Sequence, residues 1–386
     1  MKKLNVLITN QSLEGRTGTT LYTFDLARGL LAANHSPVLY SPRPGDLAQR
    51  LRIETVPVVD DLNILNSTPD IIHGQHTAET VTALVRFPRT PAIYVCHDWY
   101  YATDNPPKFP NIRRYVAVDS ACRDKLVFEH GIPEERVRVV LGFVDLDKFR
   151  PRAPLPATPQ RALIFCNQTS ENEYLEAARA ACARKNISLD VYGRGMGRVS
   201  EHPEELLPQY DIVFAKGRAA LEALAVGTSV IAYWWRRVGP MVTASELDRL
   251  RDANFGMRAM GPKSTPEEFG QQCDVALSQY DASDAAQVSA RVRTEAGQDL
   301  VVSELISIYE EVIAEHAATG VDEEAHARAT ASYVRQLAIM YAEERHVMHA
   351  TTPFLVGERL RKTPVVGRVA RVVARKFAGK DGGNEK

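Results

Sequence analysis

Along the first 120 or so residues, short runs of consecutive apolar residues alternate with stretches in which apolar residues recur every three or four positions. Runs of the first kind fall at 4–8, 38–40, 70–73, 92–96 and 114–118. They predict strands buried on both faces. The stretches between them predict helices at 19–33, where Leu21, Phe24, Leu26, Leu30 and Leu31 keep helical spacing, and at 78–85. Buried strands alternating with helices imply a parallel sheet covered on both sides.

The rhythm breaks after Phe149, where Pro151, Pro154, Pro156 and Pro159 crowd a stretch without periodicity. Such a stretch reads as a linker. Beyond it, strands are predicted at 162–165, 188–192, 212–214 and 229–232, and helices at 173–183, 219–226, 267–277 and 299–314. A longer helix, 322–349, sets Tyr333, Leu337, Met340 and Tyr341 on one stripe. The division that follows is a first Rossmann-like unit at 1–150, a Pro-rich linker at 151–160, a second Rossmann-like unit at 161–318, and C-terminal helices with a basic tail at 319–386.

Composition narrows the function classes. The 386 residues are enough for two cores, and the 45% apolar and 25% charged content is that of a soluble globular protein. A formal net charge of -1 supplies no global field for nucleic acid. Cys96, Cys122, Cys166, Cys182 and Cys273 are scattered, with no Cys-x-x-Cys pair. That argues against a disulfide framework and a zinc site, and for a reducing compartment. The apolar run after Lys2 and Lys3 is too short for a signal peptide, and no run approaches the ~20 apolar residues of a membrane span. The chain reads as cytoplasmic.

The most specific local feature is the stretch from Asp211 to Ile231. A strand enters a loop of Lys216, Gly217 and Arg218, which opens directly into a helix carrying Glu222; Gly227 ends that helix. Free N–H groups and the helix dipole favour an anion at such a start, and two cations add charge-assisted hydrogen bonds. Glu222, one turn in, can accept hydrogen bonds from a ribose diol. The plainer reading is solvated charges and an ordinary C-cap glycine.

This stretch resembles the donor-binding signature of retaining family-4-like (group 1) glycosyltransferases of the GT-B fold: Glu-Gly-Phe-Gly, an apolar run, Glu-Ala, two residues, then Gly-Thr-Pro-Val-Ile-Ala. Gly217 matches the second glycine, Glu222-Ala223 the second acidic position, and Gly227-Thr228-Ser229-Val230-Ile231-Ala232 the tail. The family's first glutamate falls on Phe214. Tyr115 to Ser120, followed by Gly131-Ile132-Pro133 and Gly142-Phe143-Val144-Asp145 through Phe149, resembles the end of the family's first domain. Gly15-Arg16-Thr17-Gly18, after the first strand, is placed like the family's Gly-Gly loop beside donor and acceptor. His97-Asp98 resembles the family's His-Asp or His-Thr at a strand end facing the acceptor and the reacting sugar. Instead of the family's Arg and Lys clamp, residues 165–172 are neutral to acidic, so Arg194 joins Lys216 and Arg218 as substitute.

The resemblance implies a GT-B fold, with two doubly wound α/β domains facing across a cleft and terminal helices crossing back to the first. It implies transfer of a sugar from a nucleoside diphosphate sugar to a hydroxyl acceptor (a glycan, a lipid-linked acceptor or a small molecule), with retention. No Asp-x-Asp motif is present to hold a divalent ion. Neither metal nor cofactor is expected beyond the nucleotide sugar as co-substrate. His97 and Glu222 are the catalytic candidates. Gly15, Arg16, Thr17, Gly18, Arg194, Lys216, Gly217, Arg218 and Glu222 are donor-binding candidates, and His73, His76 and Asp98, beyond strand ends, are acceptor-side candidates. The segment from Arg359 to Lys376 has basic and apolar sides, which suits either an anionic inner-membrane surface or packing on the first domain. Two alternatives stay open: a catalytically silent relative that binds sugars or partners, and another enzyme of this fold such as a sugar-nucleotide epimerase.

Overall fold

The structure, a computed structural model, describes residues 2–350. Two compact units are distinguished, Met1–His326 and Ala327–Lys386. In the first, the elements run β1 (Asn5–Thr9), α1 (Gly18–Ala32), β2 (Ser36–Tyr40), α2 (Gly45–Ile53), β3 (Val58–Val59), β4 (Ile71–Gln75), α3 (Thr77–Arg86), β5 (Ala92–Cys96), β6 (Ile112–Ala117), α4 (Ser120–Asp124) and β7 (Val137–Val139). They continue with β8 (Arg161–Phe165), α5 (Glu173–Arg184), β9 (Ser188–Tyr192), α6 (Pro203–Leu206), β10 (Ile212–Ala215), α7 (Gly217–Val226), β11 (Ser229–Trp234), β12 (Arg237–Met241), α8 (Leu247–Asp252), α9 (Pro266–Ser278), α10 (Ala282–Glu295) and α11 (Gln298–Thr319). A last helix, α12 (Glu323–Ala350), carries the stripe from Tyr333 to Tyr341 into the second unit.

Two sheets result, one per lobe. The first has the order β3-β2-β1-β4-β5-β6-β7 and is parallel throughout. The second has the order β12-β11-β10-β8-β9, parallel except for the β11–β12 hairpin. In each the strand order reverses once, between β1 and β4 and between β10 and β8. Ligands of open α/β sheets bind beyond the strand C-termini at such switch points. Every loop discussed below leaves one of these strand ends.

The second lobe shows why its strands are continuous apolar runs. Leu163, Val213, Ala215 and Val230 join α7 and α10 in one core, while Ile164, Ile212, Phe214 and Tyr233 join α5 and α9 in the other. Alternate residues thus fill opposite faces, and both faces are covered.

The chain crosses between lobes twice, side by side. Val144 N donates to Ala296 O (2.9 Å) and Gln298 N donates to Val144 O (3.0 Å). From that point α11 returns to the first sheet and packs over β5 and β6. Arg114 of β6 pairs with Glu311 and Glu315 of α11, and Tyr309 of α11 bonds His73 of β4. The first lobe is therefore built from both ends of the unit. The return begins at Gln298, inside the stretch that composition and rhythm assign to the second lobe.

Among the described residues, no helix is long and apolar enough to cross a membrane, and the five cysteines are buried and free. The segment from Arg359 to Lys376 lies outside the described residues.

Candidate active site

The first-lobe side of the cleft is built on β1, β4 and β5. After β1, Asn10 donates through Nδ2 to Thr23 Oγ1 (2.7 Å) and accepts at Oδ1 from Ser12 N (3.1 Å), which ties the loop to α1. Thr17 then caps α1 in a reciprocal box with Thr20. Between them Gly15 has φ +69°, and a Cβ there would stand 2.6 Å from Arg194 Nη2 of the second lobe. The backbone conformation is what requires glycine; a Cβ would also push aside the flexible end of Arg194. Arg194 and Gly15, donor-side candidates from opposite lobes, are in contact, with Arg16 next in sequence.

His76 and His97 follow β4 and β5, whereas His73, expected beyond the strand end, lies inside β4; burial makes each a weaker base than usual. His73, within β4, is fully buried; Tyr309 Oη lies 2.6 Å from its Nδ1, and burial lowers its pKa to about 3. His76 has φ 58° and ψ 139°, a costly conformation for a side-chain-bearing residue. Its Nδ1 accepts from Gln11 N (3.2 Å), which fixes that tautomer, and burial lowers its pKa to about 4. His97 follows β5 directly. Its ring stands 4.6 Å from Tyr22 of α1, edge to face, and its buried Nε2 has no hydrogen-bond partner. Burial, then the neighbouring His76 and His73, hold it neutral well below the ordinary range. A neutral imidazole with one uncommitted nitrogen suits a sugar hydroxyl, which can donate or accept.

Tyr22 itself, packed between His73, His97 and Phe143, has no distinguishing signal in the sequence. Neither does Lys125, a buried ammonium that donates to Asp98 O (3.1 Å) and Tyr101 O (2.9 Å) and so shapes the turn after His97. Asp104, buried beside that turn, is raised to about 7 by desolvation and by Asp98, against the pull of Lys125.

The second-lobe side is the start of α7. Gly217, at φ +54°, turns the chain into the helix, and its N–H donates to Asn254 O (3.0 Å). Lys216 Nζ lies 4.5 Å from the centroid of the Trp234 ring. Desolvation lowers its pKa, opposed by Cys166 and by Asp98 and Asp119 of the first lobe. No carboxylate lies within 4.0 Å of Arg16, Arg194 or Lys216 among the described residues, in contrast to Arg218.

Arg218 and Glu222 are placed differently. The Arg218 guanidinium bonds Glu222 Oε1 through Nε (2.6 Å) and reaches across to the Asp25 carboxylate on α1. The three side chains are 16%, 5% and 8% exposed, so this is a buried inter-lobe triad, committed to itself. Beside it Gln298 Nε2 donates to Asp25 O (2.7 Å), which sets the triad next to the double crossing. Asp25 gives no sequence signal, being one polar residue in a helical pattern. Phe214 is fully buried, its ring 6.0 Å from Tyr233. Strand β10 runs on to Ala215, so the position eight before Glu222 lies in the core and not in a loop.

Among the described residues no cluster of three His, Cys, Asp or Glu side chains could hold a metal ion.

Residues 16–148 match Glycosyltransferase Family 4. No curated protein matches the chain. Among solved structures, the chain is similar to a glycosyltransferase from Rickettsia africae, with 14% identity over 81% of this chain and 99% of that one, at a TM-score of 0.56. HepE of Anabaena, solved with UDP and glucose, is 14% identical over 79% and 99% of the two chains, at a TM-score of 0.50. The catalytic domain of starch synthase IV from Arabidopsis thaliana, bound to ADP and acarbose, is 10% identical over 81% and 100%, at a TM-score of 0.52. Likeness at these identities establishes the fold. Residues 16–148 thus match Glycosyltransferase Family 4, and the chain as a whole has the GT-B fold.

Proposed function

We propose that the chain transfers a sugar from a nucleoside diphosphate sugar to a hydroxyl acceptor, with retention and without a metal. The observation that carries this reading is the set of cations without carboxylate partners at the two switch points: Arg16 and Arg194 by Gly15, and Lys216 at the end of β10. A diphosphate leaving group develops negative charge as the glycosidic bond breaks, and cations without carboxylate partners beside it stabilise that charge. His97, neutral and with a free nitrogen, positions a hydroxyl of the donor sugar or the acceptor. The N-terminus of α1 after Gly15-Arg16-Thr17-Gly18 faces the same anion. His76 and Asp98 border the acceptor side. His73, a layer deeper and bonded to Tyr309, supports them.

Arg218 and Glu222 enter this scheme through the triad with Asp25, which holds the start of α7 against the first lobe. A bound nucleotide adds its own hydrogen bonds to Glu222 only by loosening that triad.

The test is a thermal-shift screen against UDP-, GDP-, ADP- and dTDP-sugars. A ligand at 100 times its Kd stabilises by about 2.7 kcal/mol, so one base is expected to give a clear shift. Lys216→Ala and Arg194→Ala are expected to abolish it. No shift with any of the four overturns the reading. A shift without transfer or hydrolysis favours a catalytically silent relative, which the position of Phe214, in the core, also supports.

A further inference from the structure

We infer that Trp99, Tyr100 and Tyr101 form a rigid platform that binds the acceptor, and that the acceptor is a saccharide. This rests on the reading of the cleft as a sugar-transfer site. The three residues follow His97-Asp98 at the C-terminal end of β5 and are open to solvent, at 37%, 71% and 59% exposure. Their rings meet edge to face in succession, with centroids 5.9 and 5.4 Å apart. Consecutive large aromatic side chains left in water mark a binding surface more often than an accident of folding.

The turn is held in shape. Asp98 Oδ1 accepts from Tyr100 N (2.6 Å) and Tyr101 N (3.2 Å), while the buried Lys125 ammonium holds the carbonyls of Asp98 and Tyr101. Burying an ammonium is costly unless its donors are used, and here they fix one turn. A platform fixed before binding loses little entropy when a ligand arrives. Its location is equally specific. The turn leaves the C-terminal end of β5 directly after His97, whose ring packs on Tyr22 of α1, so the platform borders the cleft on the first-lobe side.

The chemistry selects the ligand class. Indole and phenol rings offer flat apolar faces with polar edges. A pyranose presents C–H groups on a face and hydroxyls around its rim, and matches both. Trp and Tyr also suit a lipid interface, but an anionic membrane surface calls for free cations beside them. This turn has none, since its lysine is buried and bonded to carbonyls.

The experiment uses the full chain on an immobilised panel of glucose, galactose, mannose and N-acetylglucosamine oligosaccharides. Hits are titrated by tryptophan fluorescence, with the nucleotide thermal shift measured in parallel. Binding to at least one oligosaccharide is expected. Trp99→Ala and Tyr100→Ala should each weaken it tenfold or more, and Tyr100→Phe should retain it. Melting temperature and the nucleotide shift stay unchanged in all three. A nucleotide shift with no oligosaccharide binding, or binding that survives both alanine substitutions, overturns the platform alone. Aromatic-dependent sedimentation with phosphatidylglycerol–phosphatidylethanolamine vesicles, without saccharide binding, overturns it in favour of a membrane. Absence of any nucleotide shift overturns the cleft reading and the platform with it.

Discussion

Replacing Arg218 with methionine removes the guanidinium between Asp25 and Glu222 while keeping much of its volume. Both carboxylates remain buried, at 8% and 5% exposure, facing each other without their shared cation. Breaking a buried ion pair by deleting one partner costs about 3–5 kcal/mol. Over the 326 residues of the unit, an unfolding entropy of ~2.1 cal/mol/K per residue amounts to roughly 0.7 kcal/mol/K, so 4 kcal/mol lowers the melting temperature by about 6 °C. The loss also has a sign in pH. Without Arg218, desolvation raises the folded-state pKa of Glu222 further above its unfolded value, and a raised carboxyl pKa removes stability as pH rises. The deficit is therefore larger at pH 8 than at pH 5. Calorimetry at both pH values measures it, with urea unfolding as a second probe. A variant that melts within a degree of the wild type at pH 8, or whose deficit fails to shrink at pH 5, refutes the triad as a structural brace.

Other substitutions probe separate parts of the cleft. Asp104 has its folded pKa raised to about 7, so its carboxyl takes stability away as pH climbs from about 4 to 7. Asp104→Asn should then stabilise the protein at pH 8 by a few kcal/mol and do little near pH 4; unfolding curves that differ from wild type by the same amount at both pH values would contradict this. His73 and His76, lowered to about 3 and 4, contribute stability that is complete above about pH 6.5 and lost as pH falls. Every tenfold drop in a group's proton affinity on folding corresponds to about 1.4 kcal/mol, so acid unfolding should set in well above pH 4. The His73 imidazole resonance should not titrate between pH 5 and 8, and NMR reads this directly. Gly15→Ala forces φ +69° on an L-residue and pushes on Arg194. It should cost about 1 kcal/mol of stability and weaken nucleotide binding more than it shifts melting, a comparison one thermal-shift series makes.

Periodicity made most of the scaffold legible because most strands here are buried on both faces. What it missed are elements without that pressure. Strand β3 is two residues long, β7 is Val137-Arg138-Val139 at a sheet edge, and β12 contains Gly239 and Pro240. Helix α10, rich in Ala, Arg and Ser, buries only Ala285, Val288, Ser289 and Val292, too sparse a pattern to stand out. The candidate site was legible where a strand end announces a loop, as at Gly15, His97 and Lys216. It was illegible where the partner is remote. Asp25 and Arg218 are 193 residues apart, and His73 and Tyr309 are 236 apart.

The return of α11 to the first sheet sets an order on synthesis. A ribosome that has released residues 1–150 has made every strand of the first sheet, but not the helix that covers β5 and β6. Until Gln298–Thr319 emerges, the apolar side under that helix is bare and Arg114 lacks Glu311 and Glu315. The second lobe, continuous from β8 through α10, can close first although it is made second. The nascent amino-terminal half must wait for it, a natural client for a holding chaperone, and residues 1–150 expressed alone should aggregate unless a peptide spanning 298–319 is supplied.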